Sequence, residues 1–143
     1  MDYRLNNEAL IACCISPLIE RRSLTVAQIT LILTIILNDS VRHHILTASK
    51  GEIDNREFNK ISLDYHELLP YIMNSLVLLI QSRCISIEQD VIKKLQRNSH
   101  LSEVISNNSN GRLKRILNDM ESISNHICSF EISTLYKNLN ISL

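Results

Sequence analysis

The sequence predicts a mainly α fold, a compact helical domain carrying a small β hairpin in winged-helix-like order. Three features point there. Only two glycines and two prolines occur in 143 residues, too few for the tight turns of an all-β chain. A strongly apolar, well-capped helix occupies the first third. A cleanly amphipathic helix follows near the end, after a short alternating stretch that reads as a hairpin.

The apolar helix is the centre of the prediction. Leu24-Thr-Val-Ala-Gln28 opens it with a Thr-x-x-Gln capping box, in which the Thr25 hydroxyl accepts from the Gln28 amide and the Gln28 side chain reaches back. Leu24 and Ile29 are placed as a hydrophobic staple. From Ile29 to Leu37 every residue is apolar except Thr30 and Thr34, which share a face. A helix apolar nearly all round is walled in by others. The run falls short of the roughly 20 apolar residues of a membrane span.

Before it, Asn6 to Ile19 predicts a first helix, N-capped by Asn6, that Pro17 either kinks or ends. Arg21-Arg-Ser23 connects the two. The central helix breaks at Asn38-Asp39, where Asp39 caps a second piece, Ser40 to Leu46. Thr47 to Asn59 is polar, contains Gly51 and reads as a loop, with a helical turn around Arg56 to Ile61. Asp64-Tyr-His-Glu67 is a second capping-box pattern. Pro70 disfavours helix just before it, so the main third helix is predicted over Pro70 to Ser82, with Tyr71, Ile72, Leu76, Leu79 and Ile80 on its apolar face.

Cys84-Ile-Ser-Ile87 alternates like a strand, and Gln89-Asp90 would turn it back through Val91 and Ile92. A helix through Ile87, Val91 and Leu95 fits the spacing almost equally well. Leu101, Val104 and Ile105 suggest a short helix, and Asn107 to Gly111 a loop. Leu113, Ile116, Leu117, Met120, Ile123 and Ile127 then line one side of an amphipathic helix. Ser133 or Thr134 caps a final short helix through Leu135 and Leu139. The expected organisation is a single domain over residues 1–143.

Fifteen basic and fifteen acidic residues give zero formal charge, which argues against wrapping nucleic acid or lying on an anionic membrane. Cys13, Cys14, Cys84 and Cys128 have no secreted-framework spacing and no basic, apolar leader before them, so they read as reduced thiols of a cytoplasmic protein. No phosphate loop, nucleophile elbow or His-Glu-x-x-His pair occurs. The adjacent pairs His43-His44 and Cys13-Cys14 diverge on a helix, and His126-x-Cys128 would ligate a metal only with a distant partner. Asp64 and Glu67 form a carboxylate pair, though capping is the commoner use of that spacing. The expectation is no catalytic residue, cofactor, metal or small-molecule substrate.

One charged cluster stands out. Lys93, Lys94, Arg97, Arg112, Lys114 and Arg115 face a single acid, Glu103, over the same stretch. If the hairpin and the amphipathic helix lie side by side, these residues make a positive surface for a phosphate backbone or an acidic partner. The alternative is an ordinary solvated face. Without interleaved aromatics, stacking of single-stranded bases is not expected.

Four stretches resemble a known family, in its order: Asn6 to Leu18; Leu33 to Asn38 with Ser40 to Leu46; the Leu-Leu-Pro-x-x-x-x-Ser-Leu helix Leu68 to Leu76 with its hairpin; and Gly111 to Leu117 running to the ending Ser133 to Ile141. That pattern resembles the middle component of three-component ABC-ATPase systems, of which Lamassu-type bacterial antiviral defence operons are members. Departures are Asn125 to Phe130, where the family often has a Gly-Arg-Trp-type segment, and Asn140 in place of a final Gly. The resemblance implies a non-catalytic accessory subunit between an SMC-like ATPase with a coiled-coil arm and an effector, commonly a nuclease. The competing expectation is a winged-helix DNA-binding regulator using the basic cluster.

Overall fold

A computed structural model describes residues 3–47, 55–95 and 112–139. Its elements are helix α1 (Tyr3–Arg21), strand β1 (Leu24–Thr25), helices α2 (Val26–Leu37), α3 (Asp39–Thr47) and α4 (Asn55–Gln81), strands β2 (Ile85–Glu88) and β3 (Val91–Lys94), and helices α5 (Arg112–Cys128) and α6 (Ile132–Asn138). The fold is mainly helical with a small three-stranded antiparallel sheet of order β1-β3-β2. The hairpin behind the long helix matches the expectation, and the short strand between the first two helices adds to it.

The capping box at α2 is present in both directions: Gln28 N–H donates to Thr25 Oγ1 at 3.1 Å, and Thr25 N–H to Gln28 Oε1 at 3.0 Å. Every residue from Ile29 to Leu37 is buried. The two hydroxyls in this run are satisfied within the helix. Thr30 Oγ1 donates to the Val26 carbonyl at 2.7 Å and Thr34 Oγ1 to the Thr30 carbonyl at 2.8 Å. Around α2 stand α1, α3, α4 and α5, and the apolar side of each faces it.

The break at Asn38 is where the sequence puts it, but Asn38 does the capping. Its Oδ1 accepts from Val41 N–H at 3.0 Å, and Asp39 sits in the first turn of α3. Arg42, one turn on, is buried. Its Nη1 donates to the Ile36 carbonyl near the end of α2 at 2.5 Å, Nη2 meets Asp39 at 2.9 Å, and Nε meets Asp119 of α5 at 3.0 Å. One guanidinium thus ties three helices together, using the forked donor geometry that lysine lacks.

Helix α4 departs from expectation. It begins at Asn55 and runs through Pro70, which the sequence reading made its first residue. An interior proline costs about 3 kcal/mol. Burial of Ile61 and Tyr65 on the same side as Ile72, Leu76 and Leu79 offsets that cost, and Pro70 itself lies at the solvent side. Asp64 is then mid-helix and accepts from the Asn38 side chain instead of capping. Pro17 likewise lies inside α1, which already includes Asn6 and continues to Arg21.

After α4 the chain reverses through Arg83 (φ 59°), with Cys84 N–H on the Leu79 carbonyl at 2.9 Å and Arg83 N–H on the Ile80 carbonyl at 3.0 Å, a Schellman ending. The 84–95 stretch is a hairpin, not a helix. Gln89 and Asp90 both have positive φ (51° and 65°), the requirement of a type I′ turn. The third strand adds Leu24 opposite Ile92 and Thr25 opposite Val91. At the other end Tyr136 of α6 donates to the Ala27 carbonyl at 2.7 Å and packs edge-on to Tyr65, ring centroids 5.6 Å apart. Helix α6 starts after Glu131, with no side-chain cap from Ser133 or Thr134.

The short helix expected at Leu101 to Ile105, the loop Asn107 to Gly111 and most of the loop before α4 lie outside the described residues.

Urea unfolding of Arg42→Ala should show a loss of about 3 kcal/mol, because two carboxylates and a carbonyl lose their partner. Arg42→Lys should recover less than about half of that. Burial, and then the neighbouring Tyr65, hold the Tyr136 phenol far above its ordinary 10.0. A raised folded value means that this contribution is whole below about pH 10 and falls as pH rises further, when the unfolded phenol ionises and the folded one does not. Wild type should therefore lose stability above about pH 10 more steeply than Tyr136→Phe, as followed by urea midpoints.

Candidate functional site

The described members of the basic cluster stand on two elements, the hairpin and α5. The hairpin packs on α1 and α4, whereas α5 packs on α1, α2 and α3. Each hairpin lysine holds an acid. Lys93 Nζ meets Glu88 across the turn at 2.8 Å, and Lys94 Nζ meets Glu20 of α1. The hydrogen bond from Lys93, and then its charge, hold the Glu88 carboxyl below its ordinary range. Lys114 and Arg115 stand exposed in the first turns of α5. Arg97 and the Arg112 side chain lie outside the described residues. The positive edge on described residues is therefore Lys114 and Arg115, with the two hairpin lysines locally neutralised.

A different surface emerges on α4, which the sequence reading did not single out. Ile61, Tyr65, Ile72, Ser75, Leu76 and Leu79 face the core, and the buried Ser75 hydroxyl lies 2.8 Å from the Tyr71 carbonyl and 3.1 Å from that of Glu8 on α1. The opposite side is mixed, with apolar residues standing among Asn59, Lys60, His66 and Glu67. Leu63 is 72 % exposed, Val77 48 % and Leu78 51 %, with Pro70 exposed between them. Leu63, Pro70 and Val77 are seven residues apart, a seam spacing for packing against another helix. Glu67, Asn74 and Gln81 interleave it. The signal was in the sequence, since α4 carries apolar residues on its outer side as well, but placing its start at Pro70 removed Leu63 from the helix.

Between α1 and α5 lies a partly open cleft of about 340 Å³, lined by Pro17, Leu18, Arg22, Leu117, Met120, Glu121 and Ser124. Ser124 is 6 % exposed and its hydroxyl has no hydrogen-bond partner among the described residues. At the rim, the Arg22 guanidinium donates to Asn125 Oδ1.

All four cysteines are thiols outside any disulfide, and burial pushes the Cys13 thiol above its ordinary range. Among the described residues no three His, Cys, Asp or Glu side chains converge on a point that could hold a metal ion, and no helix is long and apolar enough to cross a membrane.

No protein-family model matches the chain, and neither does any curated protein or solved structure.

A carboxyl-detected NMR titration should find Glu88 titrating below its ordinary 4.5 in the wild type and returning toward that value in Lys93→Met. A lowered folded value makes the pair's small contribution present above about pH 4.5 and lost as pH falls through the folded value. An unshifted Glu88 would mean that Lys93 is available to outside phosphates.

Proposed function

We propose that this chain is a non-catalytic accessory subunit that holds an SMC-like ATPase with a coiled-coil arm to an effector, commonly a nuclease, in a bacterial defence complex. One observation carries the reading: the solvent side of α4 presents Leu63, Pro70, Val77 and Leu78 as an exposed apolar seam. Full burial of one such aliphatic side chain contributes about 1.5–3 kcal/mol, so two or three of them suffice to anchor a helix. A seven-residue spacing suits a partner that is itself a long, regular helix, such as a coiled-coil arm. Permanent interfaces of this kind are more apolar than ordinary surface. The resemblance of Leu68 to Leu76 and of Gly111 to Leu117 to the middle components supports the same assignment.

A winged-helix regulator of duplex DNA is the alternative. In that mode a helix of the module enters the groove and the hairpin serves as wing. Here the outer side of the long helix before the hairpin carries apolar residues interleaved with Glu67, and the hairpin lysines hold Glu88 and Glu20. Both observations favour adhesion to protein over phosphate contact.

A gene beside this one should encode an ATPase with a coiled-coil arm, and co-expression with it should yield a complex that survives purification. Leu63→Asp combined with Val77→Asp should weaken it by at least roughly tenfold while changing the stability of the chain alone by less than about 0.5 kcal/mol, both residues being exposed. Failure of the wild type to capture the ATPase would overturn the assignment, and so would a double variant that binds unchanged. Salt-sensitive, sequence-specific binding of duplex DNA by the isolated chain, lost on Lys114→Glu with Arg115→Glu, would establish the alternative.

A further inference from the structure

We infer that the outer side of α4 pairs with the same side of a second copy of this chain, antiparallel about a two-fold axis at Pro70, and that the coiled-coil arm displaces this self-pairing. The displacement rests on the accessory-subunit reading. The self-pairing rests on α4 alone.

The exposed positions of α4 read the same from either end. Leu63 and Val77 stand seven residues either side of Pro70, His66 and Asn74 four, and Asn59 and Gln81 eleven, and all of them are exposed. At 3.6 residues per turn these offsets fall within about 40° of one line along the helix. The chemistry follows the same symmetry. An amide stands at each end, an aliphatic residue inside it, a polar ring or amide next, and the proline ring in the middle. A surface that meets itself across a two-fold axis needs this property, because residue i then contacts residue j and j contacts i. In the antiparallel pair Leu63 of each copy lies against Val77 of the other, and the two short Pro70 rings meet at the axis. The mixed character of the face is thereby accommodated, since polar rows oppose polar rows and apolar rows oppose apolar ones.

Charge selects the antiparallel sense. By helical spacing Lys60 and Glu67 lie on the same flank of the seam as Asn74 and Leu78. Reversing the second helix brings its Asn74 beside Glu67 and its Leu78 beside Lys60. The carboxylate then accepts from an amide, and the lysine stem covers a leucine. Asn74 Nδ2 already donates to Glu8 Oε1 of α1 at 3.3 Å, which steadies the amide and leaves its second N–H for Glu67 of the other copy. A parallel pair would instead set Glu67 against Glu67 and Lys60 against Lys60, each repelling its own kind. Size sets the strength. Residues 59–81 make a strip about 33 Å long and about 10 Å wide on each copy, below the ~1,200 Å² total of a stable interface. The pair therefore exchanges readily. One seam holds one helix at a time, so a long coiled-coil arm seated there excludes the second copy.

The test uses the full chain. Analytical ultracentrifugation should show monomer at about 1 µM and dimer at roughly 500 µM, the behaviour of a weak, exchanging interface. Leu63→Asp should raise the dissociation constant at least roughly tenfold. Under mild oxidation a mixture of Leu63→Cys and Val77→Cys chains should form a mixed disulfide, and Pro70→Cys should link to itself. Leu63→Cys alone should stay at the background set by the native thiols, its two copies lying about 20 Å apart along the helices. Adding the coiled-coil ATPase should abolish the mixed disulfide. A chain still monomeric at roughly 500 µM overturns the inference, and so does Leu63→Cys linking to itself as readily as to Val77→Cys. Either result leaves the accessory-subunit reading standing. A mixed disulfide that forms undiminished while the ATPase is captured overturns the displacement. Failure of the unmodified chain to capture the ATPase removes the accessory-subunit reading and leaves the self-pairing in place.

Discussion

Nine consecutive buried residues, Ile29 to Leu37, set the terms for everything else in this molecule. A helix with no solvent side has to be enclosed, and α1, α3, α4 and α5 supply the walls. The enclosure works because α2 brings few polar atoms inside that it does not satisfy itself. Thr30 and Thr34 turn back onto their own helix, and the capping box closes its first turn. At its far end the Ile36 carbonyl is met by Arg42, whose other edges hold Asp39 and Asp119, so the same group that satisfies the helix terminus docks α3 and α5. A buried guanidinium is tolerable only with its donors occupied, and here three edges are.

The wall helices differ in what they do with their outer sides. Helix α5 is conventionally amphipathic, with Ile116, Met120, Ile123 and Ile127 inward and Lys114, Arg115 and Glu121 outward. Helix α4 carries exposed apolar residues among the polar ones on its outer side. Its inner side completes the core, and its outer side leaves Leu63, Val77 and Leu78 in solvent. The cleft between α1 and α5 is mixed, with Pro17, Leu18, Leu117 and Met120 beside Arg22 and Glu121.

Local chemistry was legible in the sequence. The Thr25–Gln28 box and the break at Asn38 each depend on residues within one turn of one another, whereas the turn at Gln89-Asp90 was one of two readings of its stretch. What depended on distant partners was not. Strand β1 is two residues long and exists because Leu24 and Thr25 lie opposite Ile92 and Val91. Pro70 reads as a helix start until the burial of Ile61 and Tyr65 on the far side of it is known. Arg42 looks like a surface residue of a short helix, because the partner that helps bury it, Asp119, is on another element. The ion pairs of the hairpin lysines were not legible either, since Lys94 meets Glu20 of a distant helix and Lys93 meets Glu88 only once the hairpin has formed.

Amide hydrogen exchange of the chain, alone and with the coiled-coil ATPase, tests most directly the claim that a fully enclosed α2 leaves α4 as the adhesive surface. Amides of α2 should exchange slowest in both states, and those of residues 59–81 on α4 should slow further only in the complex. A stable complex in which α4 exchanges unchanged, or a free chain in which α2 exchanges as fast as the chain ends, would contradict it.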